Sequence, residues 1–481
     1  MKRVVGVATA ALLSAAVANA QYWKALGKGT IGPTEIQTLY GDSISNRLLA
    51  GGTFTFILND GDTVLGMGQA AWNGSRWDSL AYRIAPSVGQ TFWFLRFQDK
   101  LYACGGYLFY DDEGNVNSSF AQLNENTLHW NTLACTNPYP LSGLLTLVPK
   151  EPQNTLYATG YMGSICGYPE SCVFRYDGSA FHVWEPFNLI PDGNDNYVGT
   201  VFDFQGKTYM TCSLRDPLGP GYVSFLRWNG TTWEHVPGWN TLSPIKDISI
   251  RNDTLYVAGT FTLADDGPGN LVAAFSNDQW NNMGGGLYYT PVPMSGAALD
   301  LEWFHGELWT CGRFNFAGGI PAHSIAKWDG QRWCVPPGDF QWINNSLSRL
   351  GDMTVWRDSL YVCGGILTVD GDTMKQVVQW LGGDVIAACS QATGVEEAGF
   401  MSVGGELQVT PLPTGTSWAV HFPRMGQWTL EVYDAAGRQV RSLLGNGGTM
   451  ELDLGAEASG LYLLRAMDER GAPRSAKLVR P

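Results

Sequence analysis

Leu255-Tyr256-Val257-Ala258-Gly259-Thr260-Phe261 decides how the rest of the chain is read, because its pattern returns along most of the length. Related runs are Leu48-Leu49-Ala50-Gly51-Gly52, Leu101-Tyr102-Ala103-Cys104-Gly105, Leu156-Tyr157-Ala158-Thr159-Gly160, Thr208-Tyr209-Met210-Thr211-Cys212, Leu308-Trp309-Thr310-Cys311-Gly312 and Leu360-Tyr361-Val362-Cys363-Gly364. The second residues of successive copies stand 53, 55, 52, 47, 53 and 52 residues apart. No helical stretch fills the intervals. Such a period points to a four-stranded unit repeated around an axis rather than a helical solenoid.

Working outward, each copy follows an alternating strand that ends in a tight polar turn: Gln98-Asp99, Gln205-Gly206, Asn252-Asp253, His305-Gly306, Arg357-Asp358. These are hairpin signals. A longer loop comes next, then a third strand that ends in an aromatic, a turn and a second aromatic. Examples are Trp72-Asn73-Gly74-Ser75-Arg76-Trp77, Trp228-Asn229-Gly230-Thr231-Thr232-Trp233 and Trp328-Asp329-Gly330-Gln331-Arg332-Trp333. The paired Trp residues are expected to pack between outer strands. The seventh copy reaches Trp380 and runs into Ala387-Ala388-Cys389 without a clear outer strand. Trp23-Lys24-Ala25-Leu26-Gly27-Lys28-Gly29 matches the fourth-strand pattern of Trp280-Asn281-Asn282-Met283-Gly284-Gly285-Gly286 and has no unit of its own. The mature N-terminus is therefore expected to complete the last unit, pairing an otherwise exposed edge.

Gly259-Thr260-Phe261 and Gly312-Arg313-Phe314, with the later Trp-Asp-Gly-x-x-Trp turn, resemble kelch-type and galactose-oxidase-like propeller repeats. The resemblance covers roughly residues 21–390 and implies a seven-bladed β-propeller. It specifies fold far better than function, since this architecture hosts enzymes, lectin-like binders and scaffolds.

A short polar linker, 391–398, leads to residues 399–481, which lack both the Trp turns and the repeat. Pro411-Leu412-Pro413, the run Leu430 to Val440, Leu452-Asp453-Leu454, Gly460-Leu461-Tyr462-Leu463-Leu464 and Lys477-Leu478-Val479 read as half-buried strands of a small β-sandwich. With Tyr433, Asp434, Gly437, Gly460, Tyr462 and Lys477, this set resembles the type A C-terminal sorting domain of the type IX secretion system of Gram-negative bacteria. The resemblance implies folding in the periplasm, recognition by the secretion machinery at the outer membrane, and release or surface attachment. The family's Pro-Asn-Pro opening is here Pro411-Leu412-Pro413. An ordinary immunoglobulin-like accessory domain is the competing reading.

Lys2 and Arg3, the apolar run Val4 to Ala18, and Ala18-Asn19-Ala20 read as a signal peptide, residues 1–20, cleaved before Gln21. The run is shorter than the roughly 20 residues a bilayer needs, and no later stretch reaches that length, so no transmembrane segment is expected in the mature chain. The expected location is secreted or on the outer cell surface. With 44% hydrophobic and 15% charged residues, 59 glycines, 19 Trp, 20 Tyr and 21 Phe, the 481-residue chain is expected to be all-β with a large core. Its formal charge of −14, made more negative by loss of the leader, argues against nucleic acid as a partner.

Nine cysteines in an exported chain favour disulfides. Cys166 with Cys172 is the first candidate, in a loop of the third repeat. Cys311 with Cys334, Cys104 with Cys135, and Cys363 with Cys389 are within-repeat candidates, although a small buried residue explains Cys104, Cys311 and Cys363 equally well. The six histidines show no zinc-type spacing, and no metal site is assigned. Function is expected on the loops after the Leu-Tyr strands, placed on one face by strand alternation. Candidate ligand residues there are Tyr107, Tyr110, Asp111, Asp112, Asp265, Asp266, Asp370 and Asp372, with Asp60, Asp62 and Tyr222 nearby in pattern. Carboxylates with aromatics suit a glycan, or calcium as the one conceivable cofactor; Asp60-Gly61-Asp62 and Asp370-Gly371-Asp372 also read as plain turns. The reading is a binding or display protein that contacts glycan or protein, ahead of an exported polysaccharide hydrolase or lyase, or a structural surface component.

Overall fold

Short alternating runs rich in aromatic and β-branched residues can satisfy their backbone only by pairing with one another. The computed structural model is accordingly all-β, with no helix among the described residues. These are residues 22–31, 34–81, 90–110, 116–132, 144–150, 154–163, 171–184, 197–263, 269–281, 283–289, 296–344, 348–390, 407–411, 417–422, 426–434, 438–455, 457–458, 460–468 and 473–480. The expected signal peptide, 1–20, and the expected linker, 391–398, lie outside them. The chain divides into two compact units, Met1–Phe261 with Gly269–Gln391, and Thr262–Pro268 with Ala392–Pro481.

In the first unit one antiparallel pattern recurs. The first sheet runs Ile36–Asp42, Arg47–Gly52, Gln69–Trp72, Trp77–Ser79, and the second Thr91–Phe97, Lys100–Tyr110, Val116–Asn124, His129–Thr132. The third is Leu144–Lys150, Thr155–Gly163, Ser171–Tyr176, Phe181–Val183; a bridge from Tyr161 to Tyr197 joins it to the fourth, Tyr197–Phe204, Lys207–Arg215, Tyr222–Trp228, Trp233–His235. The fifth is Ile245–Arg251, Thr254–Thr262, Asn270–Ser276, Gln279–Asn281. The sixth is Ala297–Phe304, Glu307–Arg313, Ile325–Trp328, Trp333–Val335. The seventh takes Leu350–Trp356, Ser359–Gly364 and Val377–Trp380 from one end of the repeat region and Trp23–Ala25 from the other, with Trp23 opposite Trp380 and Ala25 opposite Val378. Each first strand lies beside the first strand of the next sheet, and Leu350–Trp356 lies beside Ile36–Asp42, so the succession returns to its start.

Turn chemistry explains the hairpins. Gln98 and Asp99 take φ of 50° and 61°, Asn252 and Asp253 50° and 58°, and Arg357 and Asp358 48° and 54°. Two consecutive positive φ values match a turn whose twist suits the flanking strands. In the third-to-fourth turns that contain Asn-Gly or Asp-Gly only the glycine is left-handed, as at Gly230 (φ 106°), while the preceding Asn or Asp caps the turn; the fifth sheet instead turns through Asn277 and Asp278, both at positive φ. Asn73 Oδ1 accepts the Ser75 and Arg76 N–H groups, and Asp329 Oδ1 those of Gln331 and Arg332.

Aromatic layers sit between sheets. Trp72 and Trp77 lie 5.3 Å apart, Trp228 and Trp233 5.4 Å, Trp328 and Trp333 5.3 Å. The outer-strand Trp also reaches the preceding sheet's exit. Trp77 Nε1 donates to Leu26 O (3.0 Å), Trp280 to Pro237 O (2.8 Å), Trp333 to Met283 O (2.5 Å) and Trp23 to Pro337 O (2.7 Å). One indole thus fills apolar space and satisfies a main-chain carbonyl at each of these four joints.

Two features depart from expectation. Ala388–Cys389 is no idle tail; it adds a fifth strand to the sixth sheet, beside Trp333–Val335. Three smaller sheets stand where long loops were expected. They are Gly29–Thr30 with Phe56–Leu58 and Thr63–Leu65, Leu287–Tyr288 with Phe316–Ala317 and Ile320–Pro321, and Phe340–Trp342 with Ile366–Val369 and Asp372–Thr373. In each, the connection leaving one sheet pairs with a hairpin inserted between the second and third strands of the next.

The second unit has a three-stranded sheet, Gln408–Pro411, Ser417–His421, Thr449–Asp453, and a four-stranded one ordered Gln439–Asn446, Gln427–Asp434, Gly460–Asp468, Pro473–Arg480. Both contribute to one core containing Trp418, Val420, Trp428, Leu430, Leu452 and Leu464.

Candidate functional site

Of the expected ligand residues, Asp111, Asp112, Asp265 and Asp266 lie outside the described residues. Tyr107 and Tyr110 belong to Lys100–Tyr110, where Tyr110 pairs with Val116, and their side chains are outside the described set. Asp370 turns a hairpin at φ 51°, and its Oδ1 accepts the Asp339 N–H (2.9 Å); Asp372 begins the hairpin's return strand. Asp60 pairs with Lys28 (3.0 Å) and Asp62 with Arg76 (2.8 Å). The Asn59 side chain bonds both backbone groups of Trp77, which fastens this hairpin to the outer strand of its own sheet. The described acids therefore occupy separate hairpins and do not converge. Among the described residues no three His, Cys, Asp or Glu side chains stand close enough to hold a metal ion.

The convergent polar groups lie elsewhere, on the first strands. Every first strand carries a β-bulge at the same register, as between Ile245 and Asp247, Ala298 and Asp300, and Leu350 and Asp352. The residue after the bulge is Asp in the fifth, sixth and seventh sheets. Asp247 Oδ2 accepts Leu301 N–H (2.9 Å), Asp300 Oδ2 accepts Met353 N–H (2.7 Å), and Asp352 Oδ2 accepts Leu39 N–H (2.6 Å). Each carboxyl thus crosses to the next sheet, the last bond joining the seventh to the first.

Burial pushes the carboxyls of Asp247, Asp300 and Asp352 up, with further upward pressure on each from a neighbouring acid in the row. Glu302 is raised to about 7, chiefly by burial and then by the Asp352 charge. Around Asp247, burial and then Arg349 lower the Lys246 ammonium. Arg349 pairs with buried Glu35 at 2.9 Å, Glu35 also receives Gln37 Nε2, and Gln37 receives Gln90. Asp247 and Glu302, each raised to about 7, can hold a proton near neutral pH, and the three aspartates pin sheet to sheet. Sequence reasoning missed it, although Asp247, Asp300 and Asp352 recur at the spacing of the repeat itself.

A cleft of about 370 Å³ opens beside the sixth sheet, lined by His305, Glu307, Lys327, Asp329, Arg332 and Asp384 among others. Lys327 is bonded to Glu307 (2.5 Å), Arg332 to Asp329 (3.2 Å) and His305 to Asp358 (3.2 Å). Surface histidines elsewhere also pair with Asp, His182 with Asp177 (2.8 Å) and His235 with Asp216 (2.9 Å).

The cysteine assignments need correction. Cys334 is bonded to Cys389, while Cys311 and Cys363 are buried thiols raised by burial. Cys311 lies on the second strand and Cys334 on the fourth, two strand spacings or roughly 9–10 Å apart, beyond disulfide reach. Cys389 takes the register position opposite Cys334. Cys104 is a buried thiol, Cys172 is buried, and Cys135 and Cys166 lie outside the described residues.

In the second unit Tyr462 is buried and its hydroxyl donates to Ala458 O (2.5 Å). Tyr433 donates to Glu431 (2.9 Å), and Asp434 accepts Arg438 N–H and Nε. Gly460 stands opposite Arg480 and Lys477 opposite Leu463; Gly437 lies outside the described residues.

The chain matches no sequence-family model and no curated protein. Among solved structures it is similar to PorZ, an essential bacterial surface component of the type-IX secretion system of Porphyromonas gingivalis, at 11% identity and TM-score 0.36, over 90% of this chain and 68% of that one. It is also similar to the extracellular domain of the putative hybrid two-component system BT4673 from B. thetaiotaomicron, at 9% identity and TM-score 0.43, over 95% of this chain and 58% of that one. Drosophila semaphorin 1a, extracellular domains 1-2, gives 12% identity and TM-score 0.35, over 74% and 88%. Likeness at this level assigns neither family nor function.

Proposed function

We propose that the chain is a secreted or cell-surface binding and display protein. In this reading residues 21–390 form a seven-bladed β-propeller, and residues 399–481 act as a sorting domain recognised by type IX secretion machinery. The observation that carries the reading is the Asp247, Asp300 and Asp352 row, whose carboxyls accept backbone N–H groups of the neighbouring sheet. Polar groups spent on the frame give rigidity, and the inserted hairpins supply an exposed surface for contact. Glycan or protein is the proposed partner. An exported hydrolase or lyase acting on polysaccharide is the second reading, favoured by Glu302, a carboxyl held near neutrality beside Asp300.

The test is a glycan-array and polysaccharide-depolymerisation screen of the full chain, run with calcium and with chelator. Binding without turnover supports display. Turnover that is lost in Glu302→Gln while binding persists would establish the second reading instead.

A further inference from the structure

The segment after Trp380 fastens both ends of the repeat region. Leu381 N–H donates to Tyr22 O (2.8 Å), directly beside the strand Trp23–Ala25. The chain then turns back through Val385 N–H to Gly382 O (3.1 Å) and joins the sixth sheet. Ala387 N–H donates to Val335 O and Ser390 N–H to Trp333 O, both at 2.8 Å, while Trp333 N–H donates to Ser390 Oγ (3.1 Å). The disulfide Cys334–Cys389 makes this attachment covalent. Its 55-residue span encloses Leu350–Trp356, Ser359–Gly364 and Val377–Trp380, all of the seventh sheet except its borrowed N-terminal strand.

We propose that Cys334–Cys389 is a redox-operated latch on the seventh sheet. Oxidised, it holds residues 381–390 against the sixth sheet and keeps Trp23, packed against Trp380 (4.8 Å) and Phe340 (5.3 Å), in place. Reduced, the two-residue strand Ala388–Cys389 is left with a few backbone bonds, too little to hold an edge strand in water. The segment then releases Tyr22 O and the N-terminal strand loosens. The reductant is a dithiol. One of its thiolates attacks Cys389 Sγ, which is half-buried while Cys334 is buried, and Cys334 leaves as the thiolate. The second thiol resolves the mixed disulfide and frees Cys389. Two electrons and two protons pass to the protein, and the dithiol becomes a disulfide. Cys104, Cys212, Cys311 and Cys363 are buried thiols with pKa raised by burial, so they do not compete in the exchange.

The experiment is hydrogen exchange on the full chain, oxidised and after dithiothreitol under native conditions, with alkylation and mass mapping of Cys334 and Cys389. On reduction the amides of Trp23–Ala25, Val377–Trp380 and Ala387–Ser390 lose protection by about tenfold or more, while Thr254–Thr262 keeps its own. The double variant Cys334→Ser, Cys389→Ser behaves like the reduced protein and ignores the reductant. If that variant does not fold, the reduced wild type carries the test alone. Unchanged protection of Trp23–Ala25 and Val377–Trp380 in protein whose two thiols are both alkylated overturns the proposal. So does oxidised protein in which Cys334 and Cys389 are free or bonded elsewhere.

Discussion

The acids on the first strands set the pH behaviour of single residues. Glu302 has its pKa raised from 4.5 to about 7 in the folded protein, so between those values the native state holds a proton that the unfolded chain has lost. Its contribution to stability is therefore full below pH 4.5 and lost as pH rises towards 7, opposite to a salt-bridged carboxylate. Glu302→Gln is expected to flatten this part of the stability-versus-pH curve and to raise stability at pH 8 by about 1–3 kcal/mol, checked by urea unfolding at pH 5 and 8. The indole bonds offer a second case. Trp77→Phe keeps most of the apolar volume but leaves Leu26 O without its donor, at an expected cost of about 1–2 kcal/mol in the same assay. The tryptophans were legible in the sequence because they flank Asn-Gly and Asp-Gly turns. The acid row was not, because one Asp per strand looks like an ordinary polar position until the bulge turns all three the same way.

At the scale of elements, local turn chemistry is legible in the sequence. Asn252-Asp253 and Arg357-Asp358 announce a turn through residues that tolerate positive φ, and the turn follows. Trp23-Lys24-Ala25 could be matched to an outer strand because Trp and Gly recur at the same offset. The small sheets escaped notice because strands such as Gly29–Thr30 and Phe316–Ala317 are too short to show alternation. Cys389 misled for a related reason: spacing within a repeat suggests a partner in that repeat, whereas pairing is decided by which edge the segment joins. Removing the Trp23 side chain tests the borrowed strand. Trp23 is fully buried and donates to Pro337 O, so Trp23→Ala is expected to cost about 3–5 kcal/mol and to loosen Val377–Trp380 first, as seen by hydrogen exchange.

For the whole molecule, closure is the claim from which the rest follows. Without Trp23–Ala25 the seventh sheet would expose the backbone edge of Val377–Trp380, and an open succession would leave two sheet faces unpacked, whereas a closed one is a stiff support for surface hairpins. The described contacts run from each first strand to the next and back to Ile36–Asp42, and Trp23–Ala25 joins residues more than 350 positions away. The most direct measurement is to place cysteines at Lys24 and Gln379, which face each other in that pairing, in the full chain, and to map disulfides by mass spectrometry after oxidation. Closure predicts a peptide linked through positions 24 and 379 within single molecules, with a raised melting temperature. Recovery of both positions as free thiols in folded, monomeric protein would contradict it.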